Sequence, residues 1–328
     1  MPTGVGGIHH VTAIASDPQR NLDFYAGVLG LRLVKRTVNF DDPSTYHFYF
    51  GDEAGNPGSI LTFFPWPGSH RGRPGPGQVA VTSFAILPAS VGFWIERLVR
   101  YGIGYEGPAR GEVDTAERVI SFRDPDGLLL ELLATPRAEE RPFWSGVIPR
   151  EHAIHGFHSV TIWVEQGDPT VQILVDTLGF RRGSEERSTR RLLIGDEGPG
   201  SMVQVRTTGG FLQGVSGAGT VHHVAWRVSD DMAQLDMRER VMLAGLDPTP
   251  VIDRNYFHSV YFREPGGVLY ELATVPPGFA NDEPLEHLGE RLMLPPQYEP
   301  RRAQIEAVLP PVHLPRPATV DSFLPTGN

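Results

Sequence analysis

The chain of 328 residues contains no cysteine, and lysine occurs only at Lys35. The missing cysteines exclude disulfides, zinc–thiolate sites and thiol nucleophiles, so a metal ion would need histidine, carboxylate or other oxygen ligands. The sequence also lacks a basic-then-apolar leader and any apolar run of about 18 residues, which predicts a cytoplasmic protein without membrane contact. The net charge of −10 includes no basic block, so nucleic acid is not an expected partner.

A repeated unit organises the sequence. Residues 118–136 and 259–276 share the frame F-R-[DE]-P-[DG]-G, followed by apolar residues and Glu-Leu, which predicts two strands joined by a Pro-Gly turn. Residues 21–36 and 169–184 share a helical pattern that ends at Leu-Gly. These patterns predict four β-α-β-β-β units, which lie near 6–68, 78–136, 153–207 and 219–276.

The remaining segments are rich in proline, glycine or charged residues. Residues 66–78 and 137–152 are typical of linkers. Residues 277–328 form a Pro-rich C-terminal extension that is predicted to wrap over the surface, with a helix over 283–293.

Two His-His pairs mark the first strands of the outer units, at 9–10 and 222–223. Because side chains alternate between the faces of a strand, His10, His223 and the last-strand Glu271 can converge if their strands line one cupped sheet. Two neutral imidazoles and a carboxylate suit non-haem Fe(II), and Mn(II) accepts the same donors. The sequence therefore predicts a metal site at these three residues.

Counting ligands across the repeat predicts how the units pair. The first-strand positions are assigned to His10, Thr82 or Ser83, His158 and His223, and the last-strand positions to Thr62, Glu131, Gln204 and Glu271. A complete His-His-Glu set arises only from units one and four, so unit one should pair with unit four and unit two with unit three. Residues 6–68 plus 219–276 would then form the catalytic, metal-binding pair, and 78–136 plus 153–207 a pair without metal.

These features resemble the vicinal oxygen chelate superfamily, which includes glyoxalases and extradiol dioxygenases. The strings HHVT, YHFYFGDE, HHVA, RNYF and REPGGVLYE, in this order along nearly the whole chain, look like the hydroquinone-type ring-cleaving dioxygenases of that superfamily. The resemblance implies an α+β fold of two cupped-sheet barrels. It also implies a set of catalytic pocket residues: Tyr261, His222, Arg254, Thr12 and His9.

The chemistry of these pocket residues suits a phenolic substrate. A histidine or tyrosine can move a hydroxyl proton, and arginine can hold an anionic oxygen. Strict alternation nevertheless places His9 and His222 on the face opposite the ligands unless a β-bulge redirects them. His258 is a further candidate without a motif match.

The sequence thus predicts an Fe(II)-dependent extradiol-type dioxygenase, an oxidoreductase that inserts O2 into a hydroquinone or related phenol, chlorinated or alkylated rings included. Its partners would be a small aromatic substrate and O2, and a homo-oligomer is left open. One alternative is a glyoxalase-type isomerase or lyase, which commonly employs four protein ligands, so Thr62 in the fourth position argues against it. The other is a non-enzymatic protein that binds an aromatic ligand, against which the polar pocket residues argue.

Overall fold

The computed structural model describes residues 4–110, 117–196 and 198–314. The strands of the described chain are β1 Ile8–Ala15, β2 Arg32–Val38, β3 Tyr46–Gly51, β4 Ile60–Pro65, β5 Gln78–Ile86, β6 Tyr105–Arg110, β7 Arg118–Arg123, β8 Leu129–Ala134, β9 Phe157–Val164, β10 Arg181–Glu186, β11 Thr189–Leu193, β12 Met202–Thr207, β13 Thr220–Val228, β14 Ile252–Asp253, β15 Phe257–Arg263 and β16 Leu269–Pro277.

The helices are α1 Pro18–Leu22, α2 Val91–Arg100, α3 Gly167–Gln172, α4 Asp231–Leu243 and α5 Arg302–Val308. α1 and α3 continue as π-helical turns over Asp23–Val28 and Ile173–Thr177. Among the described residues, no helix combines the length and the apolarity needed to cross a bilayer.

The strands form two eight-stranded sheets, each built from two non-neighbouring units. The first sheet has the order β14-β15-β16-β13-β1-β4-β3-β2, and the second has the order β10-β11-β12-β9-β5-β8-β7-β6. β1 and β13 are antiparallel neighbours, and so are β5 and β9. The prediction that unit one pairs with unit four and unit two with unit three is therefore confirmed.

The ladder registers correct the predicted first-strand positions of units two and three, because Val81, and not Thr82 or Ser83, is the counterpart of His223. Thr12 lies beside Thr62 and opposite His223 in the first sheet, just as Thr161 lies beside Gln204 and opposite Val81 in the second. Two residues before these threonines are His10 and Ser159, so Ser159 is the counterpart of His10. His158 is instead the counterpart of His9 and, like His9, is the extra residue of a β-bulge.

Two buried carboxylates connect the sheets through the Pro-Gly turns of the even units. In the turn of unit two, Asp124 Oδ2 accepts a hydrogen bond from the hydroxyl of Tyr25, which follows α1, at 3.0 Å. In the turn of unit four, Glu264 Oε2 accepts from the hydroxyl of Thr170 in α3 at 2.7 Å. Each turn thus contacts the helix of the preceding unit, which belongs to the other sheet.

The C-terminal extension packs along the first sheet. Lys35 Nζ, which is fully buried, lies 2.6 Å from both Asp282 Oδ1 and Glu283 Oε2. Leu292 forms a parallel bridge with Arg36 at the edge of β2. The extension therefore continues the first sheet's packing rather than forming a separate body.

The predicted helix over 283–293 is wrong. Only a 3₁₀ turn at Leu285–His287 forms there, and Gly289 has φ +78°, which ends helical geometry. The helix of the extension is α5, farther along the chain. The part of the extension at 315–328 lies outside the described residues.

Candidate metal centre

His10, His223 and Glu271 lie together where β1, β13 and β16 meet. His10 Nε2 is 3.1 Å and His223 Nε2 is 2.9 Å from Glu271 Oε2, and the two Nε2 atoms are 3.3 Å apart. One potential ligand atom from each residue lies within 4.8 Å of the others, and all three side chains are buried. Within the described part of the chain, no second cluster of three histidine or acidic side chains has this geometry.

His9 determines that Nδ1 of His10 carries a hydrogen. His9 Nε2 is 3.1 Å from the carbonyl oxygen of Thr274, which can only accept, so this nitrogen carries the hydrogen. Burial, assisted by His10, lowers the pKa of His9 to about 3, so its ring is neutral and its Nδ1 accepts. His10 Nδ1, 3.0 Å away, must then donate to it, so the lone pair of a neutral His10 ring lies on Nε2.

His222 contacts His223 in the same way. Their Nδ1 atoms are 2.8 Å apart, and burial is the main cause that lowers the pKa of His222 to about 3. Burial also lowers the pKa of His223 below its ordinary value. The neighbour behind each ligand candidate is therefore a neutral imidazole, which can hold the ring of a metal-binding histidine in place.

Two β-bulges explain how His9 and His222 reach the ligand rings. Between β1 and β13, Ile8 pairs with Trp226 but His10 pairs with Ala225, so His9 is the extra residue. Thr12 then pairs with His223 and Ala13 with Val221, so His222 is the extra residue of the second bulge. A bulge leaves its extra residue unpaired and re-aims its side chain, which strict alternation does not anticipate.

Glu271 completes a donor set that fits a divalent cation. Its Oε1 accepts from the Ser259 hydroxyl at 2.5 Å, whereas Oε2 accepts no hydrogen bond although it is fully buried. Oε2 and the lone pair of His10 thus face each other in the interior, with His223 beside them. Buried lone pairs without a donor are unfavourable, and a cation bound between them removes that penalty.

A small cavity opens beside this group. Its volume is about 30 Å³, which is room for one or two water molecules. Its walls consist of His10, Thr12, Asn39, Phe40, Asp41, His47, Tyr49, Phe64, His223, Arg254, Phe257 and Tyr261. Of the predicted catalytic residues, Thr12, Arg254 and Tyr261 line it. His9 and His222 instead lie behind the ligand rings.

Arg254 and Tyr261 give the cavity a cationic, proton-bearing side. Arg254 Nε is 3.3 Å from the Tyr261 hydroxyl, and the Arg254 guanidinium lies 3.2 Å from Asp41. Burial alone would lower the pKa of Arg254, but Tyr261 and Asp41 raise it above its ordinary value. Burial, with the charge of Glu271, raises the pKa of Tyr261, so the phenol stays protonated.

β3 contributes two side chains to the cavity that the sequence patterns did not single out. His47 and Tyr49 both face the cavity, and the Phe257 ring packs against His10 at 5.0 Å between ring centroids. The available signal was the spacing of His47 and Tyr49, because two polar residues two positions apart in an otherwise apolar strand share one face.

Other histidines and acids lie outside the cavity. His258 Nδ1 is 2.6 Å from Asp231 at the start of α4. In the second sheet, His158 contacts Ser159 and Glu117, at 3.0 and 3.1 Å. Glu131, the counterpart of Glu271, accepts a hydrogen bond from Ser83 at 2.6 Å.

Known proteins are similar to this chain over about nine-tenths of its length. A family model described as "Glyoxalase/Bleomycin resistance protein/Dioxygenase superfamily" matches residues 7–132. The chain is 48% identical to "Putative ring-cleaving dioxygenase MhqO" of Bacillus subtilis (strain 168), over 92% of this chain and 94% of that protein. It is 31% identical to "Chlorohydroquinone/hydroquinone 1,2-dioxygenase" of Sphingobium indicum, over 91% of this chain and 94% of that protein.

Solved structures show the same relationship. A crystal structure of a "putative dioxygenase" from Bacillus subtilis has a TM-score of 0.90 at 47% identity and covers 95% of this chain and 99% of that one. Glyoxalase I from Zea mays has a TM-score of 0.58 at 15% identity, over 82% of this chain and 92% of that one. The second similarity concerns the fold alone.

Proposed function

The chain belongs to the glyoxalase/bleomycin resistance protein/dioxygenase superfamily, and from this premise we propose that it is an extradiol-type ring-cleaving dioxygenase acting on a hydroquinone or related phenol. The observation that carries the proposal is the buried group of His10, His223 and Glu271 beside a cavity with a cationic arginine. Relatives named for ring cleavage and for hydroquinone oxidation, similar over nine-tenths of the chain, support the same reaction class.

The donor set favours Fe(II), with Mn(II) as the alternative. His10, His223 and Glu271 would hold the ion. A bound ion would supply open coordination positions for a phenolic oxygen of the substrate and for O2. Thr62, the residue that corresponds to Glu271 in unit one, is hydrogen-bonded to His47 and Thr12 instead and does not complete a fourth ligand position.

The chain's own residues bind the substrate and manage its protons. Arg254 provides a permanent cation for an anionic ring oxygen. The Tyr261 hydroxyl accepts from Arg254 Nε, so its hydrogen is available to a substrate oxygen. The Phe40, Phe64 and Phe257 rings supply apolar walls that exclude water.

The cavity is smaller than an aromatic ring, so substrate entry requires its rim to move. Asp41 is three-quarters exposed and forms an ion pair with Arg254 across the opening. The exposed Asp41 carboxylate can separate from the partly buried Arg254 guanidinium and remain solvated, while Arg254 keeps its contact with Tyr261. Residues 39–41 are therefore the part of the wall that we expect to open.

The test is oxygen consumption by the metal-loaded protein. Purified protein is loaded anaerobically with Fe(II) or with Mn(II), and O2 uptake is followed with a panel of hydroquinones and catechols. We expect uptake of one O2 per ring with a hydroquinone, because both oxygen atoms enter the ring-opened product and no external reductant is needed. If the metal-loaded protein consumed no O2 with any of the phenols, the proposal would be overturned.

The same experiment separates the dioxygenase from the glyoxalase-type alternative. An isomerase or lyase converts its substrate without O2, so full conversion of a substrate under anaerobic conditions would contradict the dioxygenase function. Binding of a phenol without any conversion would instead indicate a ligand-binding protein.

A further inference from the structure

Four hydrogen-bonded side chains form a row along the cavity wall, across β3, β4 and β1. The Tyr49 hydroxyl is 2.9 Å from His47 Nδ1. His47 Nε2 is 2.9 Å from Thr62 Oγ1, which is 2.8 Å from Thr12 Oγ1. We call this row the Tyr49–Thr12 relay. None of its members belongs to the candidate metal ligands, and Thr12, His47 and Tyr49 line the cavity.

The relay has a direction, because each member has a limited number of hydrogens. A neutral imidazole has one donor and one acceptor nitrogen. If Tyr49 donates to His47 Nδ1, then His47 Nε2 donates to Thr62. The Thr62 hydroxyl accepts this hydrogen bond with its oxygen, and it donates its own hydrogen to Thr12. Burial is the main cause that lowers the pKa of His47 well below its ordinary value, in keeping with a neutral ring.

The opposite direction leaves a buried donor without a partner. His47 would then donate from Nδ1 to Tyr49, and the Tyr49 hydroxyl hydrogen would need another acceptor. Tyr49 is 1% exposed, and its hydroxyl has no other hydrogen bond among residues 4–110, 117–196 and 198–314. An unsatisfied buried donor costs about 1–3 kcal/mol, so the direction from Tyr49 toward Thr12 is favoured.

The relay ends at a hydroxyl that faces the cavity. Thr12 accepts from Thr62 and makes no other side-chain hydrogen bond in the described part of the chain. Its own hydrogen is therefore left for an acceptor in the cavity. We propose that Tyr49, His47 and Thr62 are positioning residues that fix Thr12 as a hydrogen-bond donor to the substrate.

This proposal rests on the proposed function and sharpens its substrate class. Thr12, Tyr261 and Arg254 would all present hydrogens to the cavity. Such a cavity favours a ring whose substituent near Thr12 is an acceptor, such as a phenolate or carbonyl oxygen. It disfavours a substituent that can only donate, because two donors would then face each other.

The repeat offers an internal comparison. Tyr49 pairs with Thr62 on β3 and β4, as Tyr261 pairs with Glu271 on β15 and β16. Two residues before these tyrosines lie His47, which contacts Thr62, and Ser259, which orients a candidate metal ligand by donating to Glu271. In unit one, the corresponding positions orient Thr12. The two units thus use the same strand positions for the metal and for the substrate.

The first test reads the direction of the relay without metal or substrate. The metal-free protein is labelled with ¹⁵N-histidine, and the His47 resonances are assigned by comparison with H47Q. We expect His47 to be a neutral ring with its hydrogen on Nε2. A hydrogen on Nδ1 would overturn the proposal, whatever the activity of the protein.

The second test compares Thr62→Val with Thr62→Ser. Valine keeps the shape but removes the hydroxyl, whereas serine keeps the hydroxyl. We expect T62V to raise the anaerobic Kd and the KM for hydroquinone about three- to tenfold, which is the contribution of one hydrogen bond. T62S should restore binding, and both variants should retain metal and a wild-type thermal unfolding profile.

The matched control for the far end of the relay lies on the same strand. Tyr49→Phe removes the hydroxyl that sets the direction, and Tyr46→Phe removes one that donates to the Pro310 carbonyl instead. We expect Y49F, but not Y46F, to weaken hydroquinone binding. The proposal would be overturned if folded, metal-loaded T62V or Y49F had a Kd for hydroquinone within twofold of the wild-type Kd. If the wild type itself binds no phenol, the proposed function fails, and the histidine tautomer still decides the relay.

Discussion

Each imidazole that faces Glu271 is held from behind by the histidine that precedes it in the sequence. His9 is anchored on the Thr274 carbonyl, and its neutral ring directs the His10 lone pair toward the carboxylate. Interactions of this kind typically change metal affinity 10- to 100-fold when they are removed. His9 contacts His10 and does not line the cavity, so we expect its substitution to change metal affinity rather than substrate contacts.

At the residue scale, the ligand assignment is tested by His10→Ala. Removing one of three ligands should reduce the metal bound per chain by more than tenfold and abolish O2 uptake, because the remaining donors no longer enclose the ion. Metal content is measured after anaerobic loading and removal of excess ion. The matched control is His158→Ala, which alters a buried first-strand histidine of the second sheet and should leave metal content unchanged. Full metal content in H10A would refute the assignment.

Asp124 predicts a pH dependence of stability. Burial, assisted by the charge of Asp126, raises its pKa from 3.8 to about 7. Because the folded-state pKa lies above the unfolded one, the contribution of Asp124 is fully present below about pH 4 and is lost as pH rises through 7. The free energy of unfolding should therefore decrease over this range, by about 1.4 kcal/mol per pKa unit at most.

The check is urea unfolding of the wild type and of Asp124→Asn at pH values between 4 and 8. In the wild type, Asp124 Oδ1 accepts hydrogen bonds from the backbone amides of Asp126 and Leu128. The side-chain oxygen of asparagine can accept the same two bonds. D124N should flatten the pH profile between pH 4 and 7 while keeping the fold. An identical slope in both proteins would show that Asp124 does not titrate in this range.

At the scale of secondary-structure elements, α4 supports the strand that presents Glu271. The Gln234 side chain in α4 is fully buried, and its Nε2 donates to the carbonyls of His258 and Leu272 at 2.8 Å each. These carbonyls belong to β15 and β16, the strands of Ser259 and Glu271. One helical side chain thus fixes both strands from the opposite face of the sheet.

Gln234→Met tests this connection. Methionine has a similar volume but cannot donate, so both carbonyls lose a partner, and the free energy of unfolding should fall by about 1–3 kcal/mol. Leu235→Met on the exposed side of the same helix is the matched control, and surface changes of this kind stay within about 0.5 kcal/mol. Equal denaturation midpoints for the two variants would contradict the role of Gln234.

At the scale of the whole molecule, the C-terminal extension completes the interior of the first sheet. Phe279 and Leu288 join the apolar cluster that contains Tyr49, Tyr256 and Phe257. This cluster borders the cavity, so the extension supports the wall on which the substrate would rest. The buried contact of Lys35 with Asp282 and Glu283 holds the extension in that place.

Lys35→Met should therefore destabilise the protein strongly. It leaves Glu283, which is fully buried, and the adjacent Asp282 without their cation, and breaking a buried ion pair in this way costs about 3–5 kcal/mol. The measurement is chemical denaturation. The triple variant K35M/D282N/E283Q, which removes both negative charges as well, should recover a large part of the loss. A single variant as stable as the wild type would show that the ion pairs do not hold the extension.

Much of the fold was accessible from the sequence because the repeat is regular. The frame around Glu131 and Glu271 and the helices that end at Leu-Gly predicted the units, and the positions of His10, His223 and Glu271 predicted which units share a sheet. The assignment of His158 was wrong because single-residue register is set by pairing with neighbouring strands. The helix over 283–293 was wrong because contacts with the first sheet, rather than local propensity, determine that segment.

The sequence by itself determined the four units, the pairing of the first with the fourth, and the three side chains that converge at their seam, because alternation and repetition are local properties that survive folding. Only the tertiary structure decided where the two β-bulges lie, how His9 and His222 are aimed, and which groups oppose Thr12. Bulges and hydrogen-bond direction depend on the partner strand and on the burial of every donor, and these are defined only when distant segments meet. Function in this molecule rests on both levels: residue types at fixed positions, and the contacts that orient them.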